Sequence, residues 1–394
     1  MSLPQIKINL LNGALGRVAQ TSDGIAGLVL TGAAVAGKLE LNKVYLLSST
    51  RDLTTLGINA ETNPLAYKEV TAFYAKAGDG AELYLLIVAA ATTLTQMCAV
   101  ADGSPIRKLI DYAKGRIRLV GINRLPAEGY QGNTETTGID QDAVTAGQVL
   151  QGVASSYADK VAPFRVLLPA ILWDGETDNL FAPREATYNR VSYVMASDQT
   201  IAGSHTAAIG QALGVLSSIP VHYNLARVKN GQAAATGKLT DGSTPEESES
   251  KLNLLHDAGY IIYRYFTGRN GYYFNDDPTA APLTDDYSSL NNGRVIDKAI
   301  ILAYNAYIDE ILESVEVDDN GYLPQTVCTY YERLIENAVA IAMTGEISDF
   351  RAYIDPKQNI LSSSLLAINC RIRPKGVLRD IIVNLGFENP ALNQ

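Results

Sequence analysis

Cysteine is scarce in this 394-residue chain. There are three, Cys98, Cys328 and Cys370, widely separated and without a CxxC spacing. That excludes a disulfide framework and a cysteine-built zinc site, and it fits thiols kept in a reducing compartment. Histidine is as sparse: His205, His222 and His256 stand in no HExxH or other ligand spacing. No GxSxG elbow accompanies them, so no nucleophilic triad is legible. No uninterrupted apolar run reaches about 18 residues, the length a membrane-spanning helix needs. The first residues, Met1-Ser2-Leu3-Pro4-Gln5, lack the basic and apolar regions of a secretory signal. Positive charge is in deficit, with 32 Lys and Arg against 42 Asp and Glu and a net charge of -10. Wrapping a nucleic acid demands the opposite balance.

What is present is an ordinary folding composition, 47% hydrophobic and 19% charged, long enough for two or three domains. Tyrosine stands out, with 22 Tyr against 7 Phe and 1 Trp. Twelve of them fall within residues 245–394. A tyrosine joins a large apolar ring to a polar tip, which suits either an interface or a half-buried sheet. Composition leaves both open.

Residues 5–10 alternate, with Ile6, Ile8 and Leu10 on one face and Lys7 and Asn9 on the other. They read as a strand with no local partner. Residues 26–30 form a second short apolar run. From residue 43 strands and helices alternate. Strand patterns occupy 44–47, 82–88, 117–122, 164–168 and 191–195, and helical spacing occupies 64–77, 104–114, 140–160 and 205–216. Asn63 and Pro64 make a plausible helix start. Such repetition predicts a parallel-rich α/β sheet covered on both faces, over residues 21–244. The polar, Gly/Ala/Thr-rich stretch 229–246 reads as a loop or linker.

Beyond it come a helix at 247–259, a strand at 260–266, a turn, a strand at 272–276, and two long helices at 294–314 and 325–344. The first long helix is apolar nearly all round its middle, which predicts enclosure on several sides. The tail alternates again, with Leu366, Ile368, Cys370 and Ile372 opposite Asn369, Arg371 and Arg373. Pro374-Lys375-Gly376 then reads as a hairpin turn into a strand at 378–387.

Few constellations carry chemistry. Gly32-Ala33-Ala34-Val35-Ala36-Gly37-Lys38 fits GxxxxGK, but Leu39 stands where a phosphate loop needs a Ser or Thr for magnesium. The acidic run holding Glu310, Glu313, Glu316, Asp318 and Asp319 lacks calcium-loop spacing. A solvated or partner-facing acidic segment accounts for it better. The opposite sign gathers at Arg371, Arg373, Lys375 and Arg379. These two groups form a candidate charged interface, within a subunit, between subunits or toward another protein. No catalytic, cofactor-binding or metal-ligating residue is identified.

From residue 245 the order of elements resembles the C-terminal domain of contractile-tail sheath proteins of phages, bacteriocins and related injection machines. The resemblance rests on the helix ending Asp257-Ala258-Gly259, the strand at 260–266, and its partner after Gly271. The loop with Thr279, Thr284, Asp285 and Asp286, the helix entered at Arg294, a second helix and a two-stranded tail complete it. The junction Asn291-Asn292-Gly293-Arg294 departs from the family, which is often richer in arginine there. The resemblance implies a structural subunit that polymerises as stacked hexameric rings around an inner tail tube and contracts to drive the tube through a target envelope. It implies an N-terminal arm at 1–20, an outward-facing α/β domain at 21–244, and an α+β sheath domain at 245–394. The arms, with Ile6, Ile8 and Leu10 at one end and Ile381, Val383 and Leu385 at the other, would add strands to neighbouring subunits. Partners would be further copies, the tube protein and baseplate proteins, with no cofactor, nucleic acid or membrane insertion. The particle would be a virion tail or injection device assembled in the bacterial cytoplasm. The competing reading is an α/β nucleotide-binding protein or enzyme with a C-terminal oligomerisation module.

Overall fold

The computed structural model describes residues 22–387, apart from 128, 199, 200 and 202–204. The expected strand at 5–10, with Ile6, Ile8 and Leu10, lies outside the described residues. The chain divides into two compact units, with the break between Asn305 and Ala306.

The first unit is built on a seven-stranded sheet. Its strands are β1 (Ala26–Gly32), β2 (Val44–Leu47), β3 (Leu83–Ala89), β4 (Leu119–Asn123), β5 (Arg165–Pro169), β6 (Val191–Val194) and, beyond two short strands, β9 (Tyr260–Ile261). The order across the sheet is β2-β3-β1-β4-β5-β6-β9. All neighbours run parallel except β2, which lies antiparallel on β3. The predicted parallel-rich α/β fold is therefore present. The apolar run at 26–30 is an interior strand, between β3 and β4.

Strands buried on both faces read as continuous apolar sequence, and Leu-Tyr-Leu-Leu-Ile-Val in β3 is such a run. Alternate side chains then serve opposite cores. Val29, Leu86, Val120 and Ile122 pack on one face with α4 (Pro105–Tyr112) and α5 (Gln141–Ala158). Leu28, Leu30, Leu85 and Ile87 pack on the other with α2 (Pro64–Ala77) and α6 (Ile209–Ser218). The last two helices approach closely because α6 presents Gly210 and Gly214. A Cβ at Gly210 would sit 2.0 Å from the Glu69 carbonyl oxygen, and one at Gly214 2.5 Å from that of Phe73. The shorter helices α1 (Arg51–Leu56) and α3 (Leu94–Met97) complete the two layers. Asn63 occupies the N-cap position of α2 but does not cap it. Its side chain instead bridges the N–H and carbonyl of Ala33, at 2.8 and 3.1 Å.

The expected division at 244/245 falls inside this first unit. The stretch 229–246 is woven into it: β8 (Lys238–Leu239) pairs with β7 (Ala196–Ser197), and Leu239 and Thr240 are fully buried. After α7 (Glu249–Ala258), β9 extends the large sheet, and β10 (Tyr263–Arg264) forms the expected small ladder with β11 (Tyr273–Phe274).

The helix expected over 294–314 is α8 (Leu290–Tyr307), and only its first half is enclosed, through residues such as Gly293, Val295, Asp297 and Ala299. Leu302 is half-buried and Tyr304 exposed. What holds that first half is ionic. Arg165, the first residue of β5, donates to Asp297 at 2.7 and 3.0 Å and to the Gly293 carbonyl at 2.8 Å. Arg190 reaches the same carboxylate at 3.1 Å. Gly293 is needed because a Cβ there would lie 2.5 Å from the Arg165 guanidinium carbon. The buried Arg165 and the partly buried Arg190 thus depend on one carboxylate. Asp297→Ala should lower stability by about 3–5 kcal/mol, the cost of leaving a buried partner uncompensated. Leu302→Asp, in the half-buried turn, should cost about 1 kcal/mol. Urea melts of both variants check this, and equal losses would contradict the ionic anchor.

The second unit is small. Helix α9 (Gln325–Ala342) lies on a two-stranded antiparallel sheet of β12 (Ile347–Ile354) and β13 (Ile368–Pro374), with the short α10 (Ile360–Ser363) between the strands. The expected tail hairpin is corrected here. β13 pairs upstream with β12, not downstream with 378–387, and residues 375–387 form no strand.

Candidate assembly surface

The GxxxxGK segment follows β1 but opens no helix. Val35 and Leu39 bridge to each other and close a tight turn, with Gly37 at φ 71°. A phosphate loop needs its N–H groups at a helix start, which this turn does not provide. The three histidines lie apart: His205 bonds the Thr240 carbonyl at 2.7 Å, His256 meets Asn275 at 3.1 Å, and His222 packs on Tyr223. A second buried charged set in the first unit is Lys68, held between Glu69 at 3.4 Å and Asp198 at 2.9 Å. Burial pulls the Lys68 ammonium toward neutrality, but the two carboxylates more than reverse that and keep it charged. Asn123 and the Gly210 N–H occupy the Glu69 oxygens. These groups satisfy one another, as buried packing networks do. Among the described residues no group of three or more metal-capable side chains occurs.

The second unit offers a different kind of surface. Cys328, Tyr331, Ile335 and Val339 form a buried stripe along α9, and Cys328 and Tyr331 pack with Leu323 and Ile354 into a small core. Around that core apolar side chains stay exposed, among them Leu312, Ile341, Tyr353 and Leu365. Leu312 is 98% exposed and sits at φ 71°, so a strained backbone holds an apolar side chain out in solvent.

The charged groups read from the sequence fall into two places. Helix α8 has ended before the acidic run begins, and Glu310, Glu313 and Glu316 line an open groove of about 500 Å³ with Asp309, Tyr330 and Tyr331. Tyr330 donates to Glu310 at 2.9 Å. Arg371 and Arg373 lie on β13, and Lys375 and Arg379 follow in the exposed tail. Arg373 faces Asp349 of β12 at 3.7 Å. Ile381, Val383 and Leu385 are 76%, 68% and 92% exposed, an alternating apolar row without a core of its own. Sequence reading missed Glu332 and Glu336, whose carboxylates bond the main chain of β12. Their four-residue spacing on a helix was the available signal.

The chain matches the DUF2586 N-terminal domain over residues 3–278 and the DUF2586 C-terminal domain over residues 286–392. It belongs to the DUF2586 family. Its fold is that of contractile-tail sheath proteins. A chain of the anti-feeding prophage (AFP) baseplate, 6-fold symmetrised, superposes with a TM-score of 0.62 at 15% identity, covering 99% of this chain and 100% of that one. A chain of the AFP helical sheath in the contracted state gives 0.60 at 14% identity, covering 98% and 100%. The sheath complex of the extracellular contractile injection system PVC, also contracted, gives 0.50 at 14% identity, covering 98% of each chain. No curated protein matches the chain.

The core of the second unit is small enough to be broken by one buried charge. Ile335→Asp, at a position 1% exposed, should make the chain beyond Ala306 sensitive to protease while the first unit stays resistant. Limited proteolysis with mass spectrometry reads this directly. Cleavage spread equally through both units would contradict the division.

Proposed function

We propose that this DUF2586 protein is the structural subunit of a contractile tail sheath. Copies assemble as six-membered rings, in keeping with the 6-fold symmetry of the AFP baseplate. The rings stack helically around an inner tail tube and contract to drive the tube through a target envelope. The role is structural rather than catalytic and takes no cofactor. The partners are further copies of the chain, the tube protein and baseplate proteins. The place of action is a virion tail or injection particle, assembled in the bacterial cytoplasm. The observation that carries this reading is the likeness, over 98% of the chain, to the AFP helical sheath in its contracted state.

The division of labour fits. Residues 1–20 and the tail bearing Ile381, Val383 and Leu385 are the inter-subunit arms. Each adds a strand to a neighbour's sheet, since strand addition satisfies main-chain groups at an open edge. Such links let subunits slide and rotate while staying connected. The first unit carries the outward domain at 21–244, and the region from 245 supplies the sheath domain. The acidic residues Glu310, Glu313 and Glu316 and the basic residues Arg371, Arg373, Lys375 and Arg379 form contacts that repeat around each ring. A single exposed pair contributes only about 0–1 kcal/mol, but repetition multiplies it.

Electron microscopy of the purified chain tests the reading: rings or tubes are expected, and a compact low oligomer would overturn it. Deleting residues 376–394 should leave a folded, soluble protein that forms no tubes, because both cores lie before that point. Arg371→Glu with Arg373→Glu should leave the melting temperature nearly unchanged and weaken the salt dependence of assembly. Light scattering across salt concentrations measures the second effect, and an unaltered salt slope counts against the charged contacts.

A further inference from the structure

A two-stranded sheet exposes two edges, and here they are treated differently. On α9, Glu332 and Glu336 stand one turn apart. Their carboxylates accept hydrogen bonds from the main-chain N–H groups of Ile354, at 2.8 Å, and Ala352, at 3.2 Å. The spacings agree: four helical residues rise about 6 Å, and two strand residues about 6.6 Å. Two glutamates at helical i and i+4 therefore meet alternate N–H groups of an adjacent strand. Arg333 holds the other oxygen of Glu336 at 2.9 Å, which fixes its direction.

In an antiparallel pair alternate residues turn their main chain away from the partner strand. Ala352 and Ile354 do so on the β12 side. Their register partners, Cys370 and Ile368, do so on the β13 side. Among the described residues no side chain bonds the N–H of Ile368 or Cys370. A strand added at β12 would bring carbonyl oxygens to N–H groups already filled by carboxylates, and like partial charges would repel. A strand added at β13 meets free donors and acceptors. Among the described residues the tail of the same chain does not pair with β13. It leaves the sheet at Pro374 and carries its alternating Ile381, Val383 and Leu385 into solvent.

We propose that Glu332 and Glu336 close the β12 edge to strand addition, so that the tail strand of a second copy joins the sheet at β13. This rests on the strand-exchange reading given above. Together the two glutamates set the side, and hence the direction, from which neighbouring subunits link.

Disulfide trapping in the full-length chain during assembly tests it. Ile381→Cys, Val383→Cys and Leu385→Cys are made one at a time, which removes dependence on the register of the added strand. The native Cys370 reports on β13. In a second set Cys370→Ser with Ala352→Cys reports on β12. Crosslinked dimers through position 370 should exceed those through 352 by about tenfold or more, the ratio expected when one edge's donors are taken by charged acceptors. Glu332→Ala with Glu336→Ala should raise the 352 crosslinks, and Glu332→Gln with Glu336→Gln, which keeps carbonyl acceptors, should not. Crosslinks at 352 equal to those at 370 in the parent, or unmoved by the alanine pair, would overturn the role of the glutamates. Particles that form with no crosslink at either edge would overturn strand exchange itself, and the proposal with it.

Discussion

Two strands and one helix make a sheet with one edge, that of β13, left to be satisfied. A two-stranded sheet is marginal in isolation and needs packing or further strands. In the second unit α9 covers one face, through Cys328, Tyr331, Ile335 and Val339. That core is small, and large apolar side chains remain around it. The main-chain groups of β13 and the alternating row of Ile381, Val383 and Leu385 are complementary lacks: one wants a strand, the other wants a sheet. The incompleteness of this unit is the constraint on which the proposed assembling role rests.

The first unit answers to the opposite logic. Its central strands are covered on both faces, and it needs nothing from another chain to bury its core. Close approach of α2 and α6 through Gly210 and Gly214 locks one layer. The carboxylate of Asp297, shared by Arg165 and Arg190, fixes the start of α8. Near the junction Asn291-Asn292-Gly293-Arg294, Arg165 of β5 reaches Gly293 and Asp297, and Arg190, just before β6, reaches Asp297.

Much of this was legible from residues alone, and the failures have physical causes. Strands such as β3 announce themselves because burial on both faces demands an unbroken apolar run. Periodicity gives a strand but not its partner, so the tail alternation led to a hairpin with 378–387. The true partner, β12, reads Ile-Ser-Asp-Phe-Arg-Ala-Tyr-Ile, a weaker signal because one of its faces is open. The interior place of β1 was hidden because sheet order is set by non-local pairing. The polar composition of 229–246 suggested a linker, yet Leu239 and Thr240 are buried. The apolar girth of α8 did not tell which half would be covered. Glu332 and Glu336 escaped notice because their partners are main-chain N–H groups, which leave no mark in side-chain chemistry.

Hydrogen exchange of the main-chain amides, compared between free subunits and assembled particles, reaches the central claim most directly. In the free subunit the amides of Ile368, Cys370 and Ile372 and those of residues 377–387 should exchange fast. Assembly should slow both sets together by orders of magnitude, as new ladder hydrogen bonds form. The core strands of the first unit should be slow in both states. Protection of β13 and the tail already present in the free subunit, or absent from the assembled particle, would contradict an unfinished sheet completed by a second copy.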